Sequence, residues 1–158
     1  MIIRISSGVF ESLLREAAVA LPRECCGLVT GKPGLIEAVV PARNVSPHPE
    51  TSFEIDPGTL MRTHREVREQ QRHVIGHYHS HPDGNVQPSL RDAARATHNG
   101  QVWIVIAGGT VNGWHAVTPP EPDNDSPDGH AADVGSPGRD TNDRLVHGRF
   151  LPVRLLHV

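Results

Sequence analysis

Apolar residues recur at Val9, Leu13, Leu14, Ala17 and Leu21, close to the 3.6-residue period that gathers side chains on one helical face. The Ser6-Ser7 pair ahead of them suits an N-cap and Pro22 stops the run, so the spacing predicts a helix over Ser7–Leu21. Cys25 to Thr30 is a short, largely apolar stretch that reads as a buried strand. The turn residues Gly31-Lys32-Pro33-Gly34 join it to a second strand, Leu35 to Val40. Prolines and polar residues from Pro41 to Pro49 predict a loop, and Ser52 to Ile55 a strand. Asp56-Pro57 has the form of an N-cap followed by proline at the first helical position, opening a helix to about Arg72. Val74 to His79 is predicted as a strand, Ser89 to Thr97 as a helix ending near Asn99-Gly100, and the unbroken apolar run Val102 to Ile106 as a central strand.

After Val117 the pattern stops. From Thr118 to Asp143 the chain is dominated by Pro, Asp, Gly, Ser and Asn, with almost nothing to bury, which predicts a disordered or loosely packed segment. Phe150, Leu151, Val153, Leu155, Leu156 and Val158 then restore apolar character. The expected organisation is one core domain over 1–118, a polar insert over 119–143, and a terminal strand within 144–158 that returns to the core. At 158 residues the chain has room for one hydrophobic core and not two comfortable ones.

Composition narrows the function classes. A net charge of −3 offers no basic excess to displace counterions or attract anionic headgroups, so neither a nucleic acid nor a membrane is expected as partner. The N-terminus is apolar only briefly, and no run approaches the roughly 20 apolar residues that span a bilayer, so the cytoplasm is the expected location. The two cysteines, Cys25 and Cys26, are adjacent. Neighbouring Cα atoms lie about 3.8 Å apart, below the usual disulfide window, so reduced thiols in a core strand are expected.

The chemistry concentrates in His77-Tyr78-His79-Ser80-His81-Pro82 and in Ser89-Leu90-Arg91-Asp92. On a strand, residues two apart project to one side, so His79 and His81 can aim at a single point; on a helix they would diverge. Asp92, near the start of the next helix, can return over the strand end as a third ligand. Two histidines and a carboxylate leave a fourth tetrahedral position open, which is the arrangement of a catalytic zinc site. His77 shares the strand face but lies about 13 Å from His81 along an extended strand, too far for both to reach one ion. Ser89-x-x-Asp92 also has the form of a capping box, a role compatible with ligation.

These residues resemble a known signature. His79-Ser80-His81-Pro82, six residues, Ser89, two residues and Asp92 are similar to the metal-binding motif of the JAMM/MPN metallopeptidases, and Glu24-Cys25-Cys26-Gly27 to the glutamate-bearing segment of their prokaryotic stand-alone members. The resemblance covers Met1 to about Val117, and Phe150–Val158 is similar to the family's closing strand. It implies one Zn2+ held by His79, His81 and Asp92, Glu24 as the general acid/base, and Ser89 as the hydroxyl that stabilises a tetrahedral intermediate. Glu24 is singled out by the resemblance alone. The fold implied is an α/β sandwich of the cytidine-deaminase-like (JAB/MPN) type, a mixed sheet with helices on both faces. The implied activity is hydrolysis of a peptide or isopeptide bond at the C-terminal Gly-Gly of a ubiquitin-like sulfur carrier of the ThiS/MoaD/CysO kind. A protein of the RadC type and a catalytically inactive MPN scaffold are the alternatives. The first is disfavoured by Glu24-Cys25-Cys26-Gly27, the second by a full ligand set.

Overall fold

The computed structural model describes residues 1–96, 100–118 and 145–158. Its elements follow in the order β1 (Ile2–Ile5), α1 (Ser7–Ala20), β2 (Cys26–Lys32), β3 (Leu35–Ala42), α2 (Pro57–Glu69), β4 (His73–Ser80), α3 (Leu90–Arg95), β5 (Val102–Ala107), β6 (Thr110–Ala116) and β7 (Phe150–His157). The helices start where the capping residues stand. Ser6 Oγ accepts from the Val9 N–H, Asp56 Oδ2 from Thr59, and Ser89 Oγ from Asp92, each relieving an N–H that has no partner within its helix.

The strands form one mixed sheet in the order β1-β3-β2-β4-β5-β6-β7, and β7 pairs with β1 so that the sheet closes on itself. β1 runs parallel to β3 and β7, and β4 parallel to β5; the other neighbours are antiparallel. The α/β class and mixed sheet agree with the sequence reading. The closure comes from β1 and β7, which bring the two ends of the chain side by side.

Alternation along the strands divides the core in two. Ile3, Ile5, Val29, Ile36, Tyr78, Ile104 and Ile106 pack with Val9 and Leu13 of α1. Cys26, Trp103, Val105, Trp114 and Phe150 point the other way and pack with Phe53 and Ala96. On β4 this parity sends Tyr78 to the α1 side, where its hydroxyl donates to Glu16 Oε2, and sends His77 and His79 toward Trp103. Two glycines make these approaches possible. A Cβ on Gly27 would meet the Tyr78 ring at 2.6 Å, and one on Gly76 would meet the Val102 carbonyl at 1.9 Å.

Several expectations are adjusted. Ser52–Ile55 is not a strand; only Ile55 makes a single bridge, to Asn44, because the surrounding backbone is held by side chains instead. α2 ends at Glu69, short of Arg72, where Gln71 takes a left-handed φ of 54°. β1 and β6 were not foreseen: β1 has only four residues, and the polar and small residues Asn112, Gly113 and His115 interrupt β6. Thr97 and the polar insert expected over 119–143 lie outside the described residues. Both cysteines are free; burial pushes the Cys25 thiol up to about 11 and that of Cys26 to about 12, so both stay protonated.

Candidate metal centre

Three elements meet at the end of β4. β4 delivers His79, the residue just beyond the strand is His81, and the first turn of α3 delivers Asp92. His81 is held at strand geometry after β4 has ended because its N–H donates to the Ile106 carbonyl at 2.9 Å, so its side chain returns to the side used by His79. The ligand-type atoms of His79, His81 and Asp92 all lie within 4.8 Å of one another. His79 Nε2 is 3.0 Å from His81 Nε2 and 3.3 Å from Asp92 Oδ2, and His81 Nε2 is 3.4 Å from the same oxygen.

These separations test the fit to zinc. A tetrahedral ion with bonds of about 2.0–2.2 Å has ligand atoms ~3.3–3.6 Å apart, and the triangle found here matches within a few tenths of an ångström. The tautomer of His81 agrees as well. His81 Nδ1 donates to the Asn85 carbonyl at 2.8 Å, which leaves the Nε2 lone pair facing the centre. The His79 ring is oriented by Phe53, stacked on it at 4.3 Å with the planes 17° apart. His77 is not part of the group; its ring packs edge-on against Trp103 at 4.0 Å.

Electrostatics favours an ionised Asp92 beside the two imidazoles. Burial pushes the Asp92 carboxyl upward, but the hydrogen bonds with His79 and His81 outweigh it and hold the group well below the carboxylate range. Burial lowers the pKa of His79 and takes that of His77 down to about 3. For His81 burial is overcome by Asp92 and Asn85, and the pKa rises.

Asp92 Oδ2 also accepts the Ser89 N–H at 2.6 Å and the Ser89 hydroxyl at 2.8 Å. Ser89 therefore caps α3 and braces the carboxylate in one arrangement. Glu24 precedes β2 and is only 6% exposed. Together with His81, Asn85, Ser89, Glu50 and Thr51 it lines a cleft of about 120 Å³. Burial raises its carboxyl to about 7; His81 and Arg91 oppose the rise, and Asp92 and Asp83 add to it. A carboxyl near neutrality beside this cluster of ligand-type side chains is suited to taking up and releasing a proton.

The structure thus brings Glu24, His79, His81, Ser89 and Asp92 to one place. Others were not seen from the sequence. Phe53 orients His79, and Arg91 and Arg95 of α3 donate to the carbonyls of Thr51 and Phe53. An arginine on a short helix and a phenylalanine in a loop carry no signal of such contacts until the loop is folded over β4.

Comparison with known proteins gives consistent results. A model of the family described as prokaryotic homologs of the JAB domain matches residues 6–118. Tail tip assembly protein K of Escherichia phage N15 is 33% identical over 113 residues, 72% of this chain and 40% of that protein. The desampylase of Haloferax volcanii is 30% identical over 88 residues, 54% of this chain and 63% of that one. A probable TtuB-protein conjugate cleaving protease of Thermus thermophilus is 34% identical over 100 residues, 61% of this chain and 64% of that one. The chain therefore spans less than two thirds of the length of each of these relatives. A solution structure from Desulfitobacterium hafniense superposes with a TM-score of 0.72 at 20% identity, covering 99% of this chain and 93% of the other, which shows a shared fold.

Proposed function

From the premise that this chain belongs to the family of prokaryotic homologs of the JAB domain, we propose that it is a zinc-dependent hydrolase of the JAMM type that cleaves ubiquitin-like protein conjugates. What carries this reading is the convergence of His79, His81 and Asp92 beside the buried carboxyl of Glu24. The Haloferax desampylase and the probable Thermus TtuB-protein conjugate cleaving protease, both similar to this chain, support it.

His79 Nε2, His81 Nε2 and an Asp92 oxygen would hold the metal. Zinc bound there supplies Lewis acidity, which makes water more acidic and a carbonyl more electrophilic. The chain's own residues do the rest. Glu24 takes the proton from the attacking water and returns it to the leaving amine nitrogen, a task for which a pKa near 7 is suitable. Ser89 has two candidate tasks. Its hydroxyl donates to Asp92 in the resting arrangement, and it serves the developing oxyanion if it turns from Asp92 toward the substrate.

The finer proposal is a substrate with a C-terminal Gly-Gly, in a sulfur carrier of the ThiS/MoaD kind bearing an extension or a conjugated amino acid. β1 pairs with β3 only at Leu35 and Ile36, so from Glu37 to Ala42 the outer edge of β3 has no partner strand among the described residues. The register runs Ala42, Cys26, His79, which brings the end of that edge two strands, ~10 Å, from the metal ligands. An extended tail added there gains backbone hydrogen bonds without side-chain reading, and glycine allows close approach to the centre.

The test is a panel of such carriers from the source genome, read by intact mass with and without chelator. Zinc-dependent cleavage immediately after Gly-Gly is expected. Cutting of casein or simple dipeptides with every carrier intact would overturn the substrate assignment. In the same preparations about one zinc per chain is expected, most of it lost in His79→Ala and Asp92→Asn, whereas Glu24→Gln should keep zinc and lose turnover. Full zinc occupancy in the His79→Ala, His81→Ala double variant would overturn the ligand assignment.

A further inference from the structure

Glu24 is the residue on which proton transfer depends, yet no hydrogen bond to its carboxyl is found among the described residues. Its placement rests on its backbone. The Glu24 N–H donates to the Pro49 carbonyl at 2.7 Å, and the Glu24 carbonyl accepts from Asn44 Nδ2 at 3.1 Å. Both partners belong to the segment that leaves β3 and crosses to α2.

Asn44 is the hub of that segment. Besides Glu24, its Nδ2 faces the carbonyls of Ser52 at 3.0 Å and Pro49 at 3.4 Å. On the other side its Oδ1 accepts the N–H groups of Ser46 at 3.0 Å and Glu54 at 3.1 Å. Three carbonyls on one side and two N–H groups on the other identify which amide atom is nitrogen and which is oxygen. Only a side-chain amide of this length satisfies both. Aspartate would turn an anionic oxygen toward three carbonyls, and an apolar residue would leave all five groups without this partner.

The loop that Asn44 gathers touches the centre at further points. Phe53 stacks on His79, and Thr51 and Phe53 are gripped by Arg91 and Arg95, which flank Asp92 on α3. Ser46 Oγ and Ser52 Oγ, 3.1 Å apart and buried, close the loop on itself. One side chain therefore ties the backbone of the proton carrier to the loop that packs on a ligand.

We propose that Asn44 is a positioning residue for Glu24: it does not touch the reacting atoms, and it holds the glutamate backbone so that the carboxyl lies at the metal centre. This rests on the proton-transfer role proposed above for Glu24. Displacing a catalytic group by about 1 Å costs on the order of 10²-fold in turnover. The loss should fall on kcat, because Asn44 contacts neither metal ligand atoms nor the free edge of β3.

The test compares Asn44→Ala, Asn44→Asp, Glu24→Gln and the Glu24→Gln, Asn44→Ala double variant, each zinc-loaded, on a Gly-Gly carrier with a C-terminal extension. Asn44→Ala should keep about one zinc per chain and nearly unchanged KM while kcat falls roughly 10²-fold. The double variant should be no slower than Glu24→Gln, because a residue acting through Glu24 has nothing left to lose. Wild-type kcat in Asn44→Ala, or multiplied losses in the double variant, would overturn the positioning role. Wild-type turnover in Glu24→Gln would instead remove the role of Glu24 itself. Should Asn44→Ala fail to fold, amide exchange in zinc-loaded Asn44→Asp supplies the readout without substrate. The Glu24 amide should exchange at least tenfold faster than in the parent chain, and unchanged protection would overturn the proposal.

Discussion

At the scale of single residues the site is a set of competing demands on a few atoms. Asp92 Oδ2 faces two imidazole nitrogens, an amide N–H and a hydroxyl, so its carboxylate is stabilised from every side. Ser89 is where two roles meet. If the hydroxyl serves the oxyanion, Ser89→Ala should lower kcat by roughly 10²-fold or more with little change in KM. If it only caps α3 and braces Asp92, the change should be a stability loss of about 1 kcal/mol with unaltered turnover per folded molecule. Kinetics and a thermal melt on the same variant separate the two. Spacing offered His79 and His81 as a pair and Asp92 as a residue that could return to them, the resemblance joined the three, and the structure places their ligand-type atoms together. Spacing did not offer Glu24, since a glutamate before a buried strand looks the same whether it is solvated or catalytic, and only the resemblance drew attention to it.

At the scale of elements, β4 is the organising strand because its alternation serves both faces. Tyr78 reaches α1 and donates to Glu16, while its neighbours His77 and His79 face Trp103 on the other side. Burial raises the Glu16 pKa, against the lowering effect of the Tyr78 hydrogen bond and of Arg15. The folded chain then holds this proton more tightly than the unfolded chain, so stability falls as pH rises from about 4.5 through the raised folded value. Glu16→Gln keeps an acceptor for Tyr78 and does not titrate. Its unfolding free energy should fall less over that window than that of the parent chain, as chemical denaturation at several pH values would show; identical slopes would refute the assignment. The helices were legible because period and capping agree at Ser6, Asp56 and Ser89. β1 and β6 were not: four residues establish no alternation, and Gly113 and His115 break it.

At the scale of the whole molecule, closure depends on the ends of the chain. β7 lies between β6 and β1, and the Ala116–Phe150 pair and the Val117 N–H to the Arg149 carbonyl bring the flanks of residues 119–144 together. A short linker can therefore join 118 to 145 without disturbing the sheet. Replacing 119–143 by a few Gly and Ser residues should leave zinc content unchanged and the melting temperature within a few degrees. Loss of folding would show that the segment contributes to the core. Among the described residues no helix is long and apolar enough to cross a membrane.

The sequence by itself determined the helices that are capped and periodic and the central strands, because each is encoded in local spacing. Only the tertiary structure decided the closure of the sheet, the stacking of Phe53 on His79, and the five contacts of Asn44. In the sequence Asn44 is one more polar residue in a proline-rich loop. Its partners lie up to 20 positions away, and hydrogen bonds across such separations come into being only when the chain has folded and water is no longer there to satisfy the same groups.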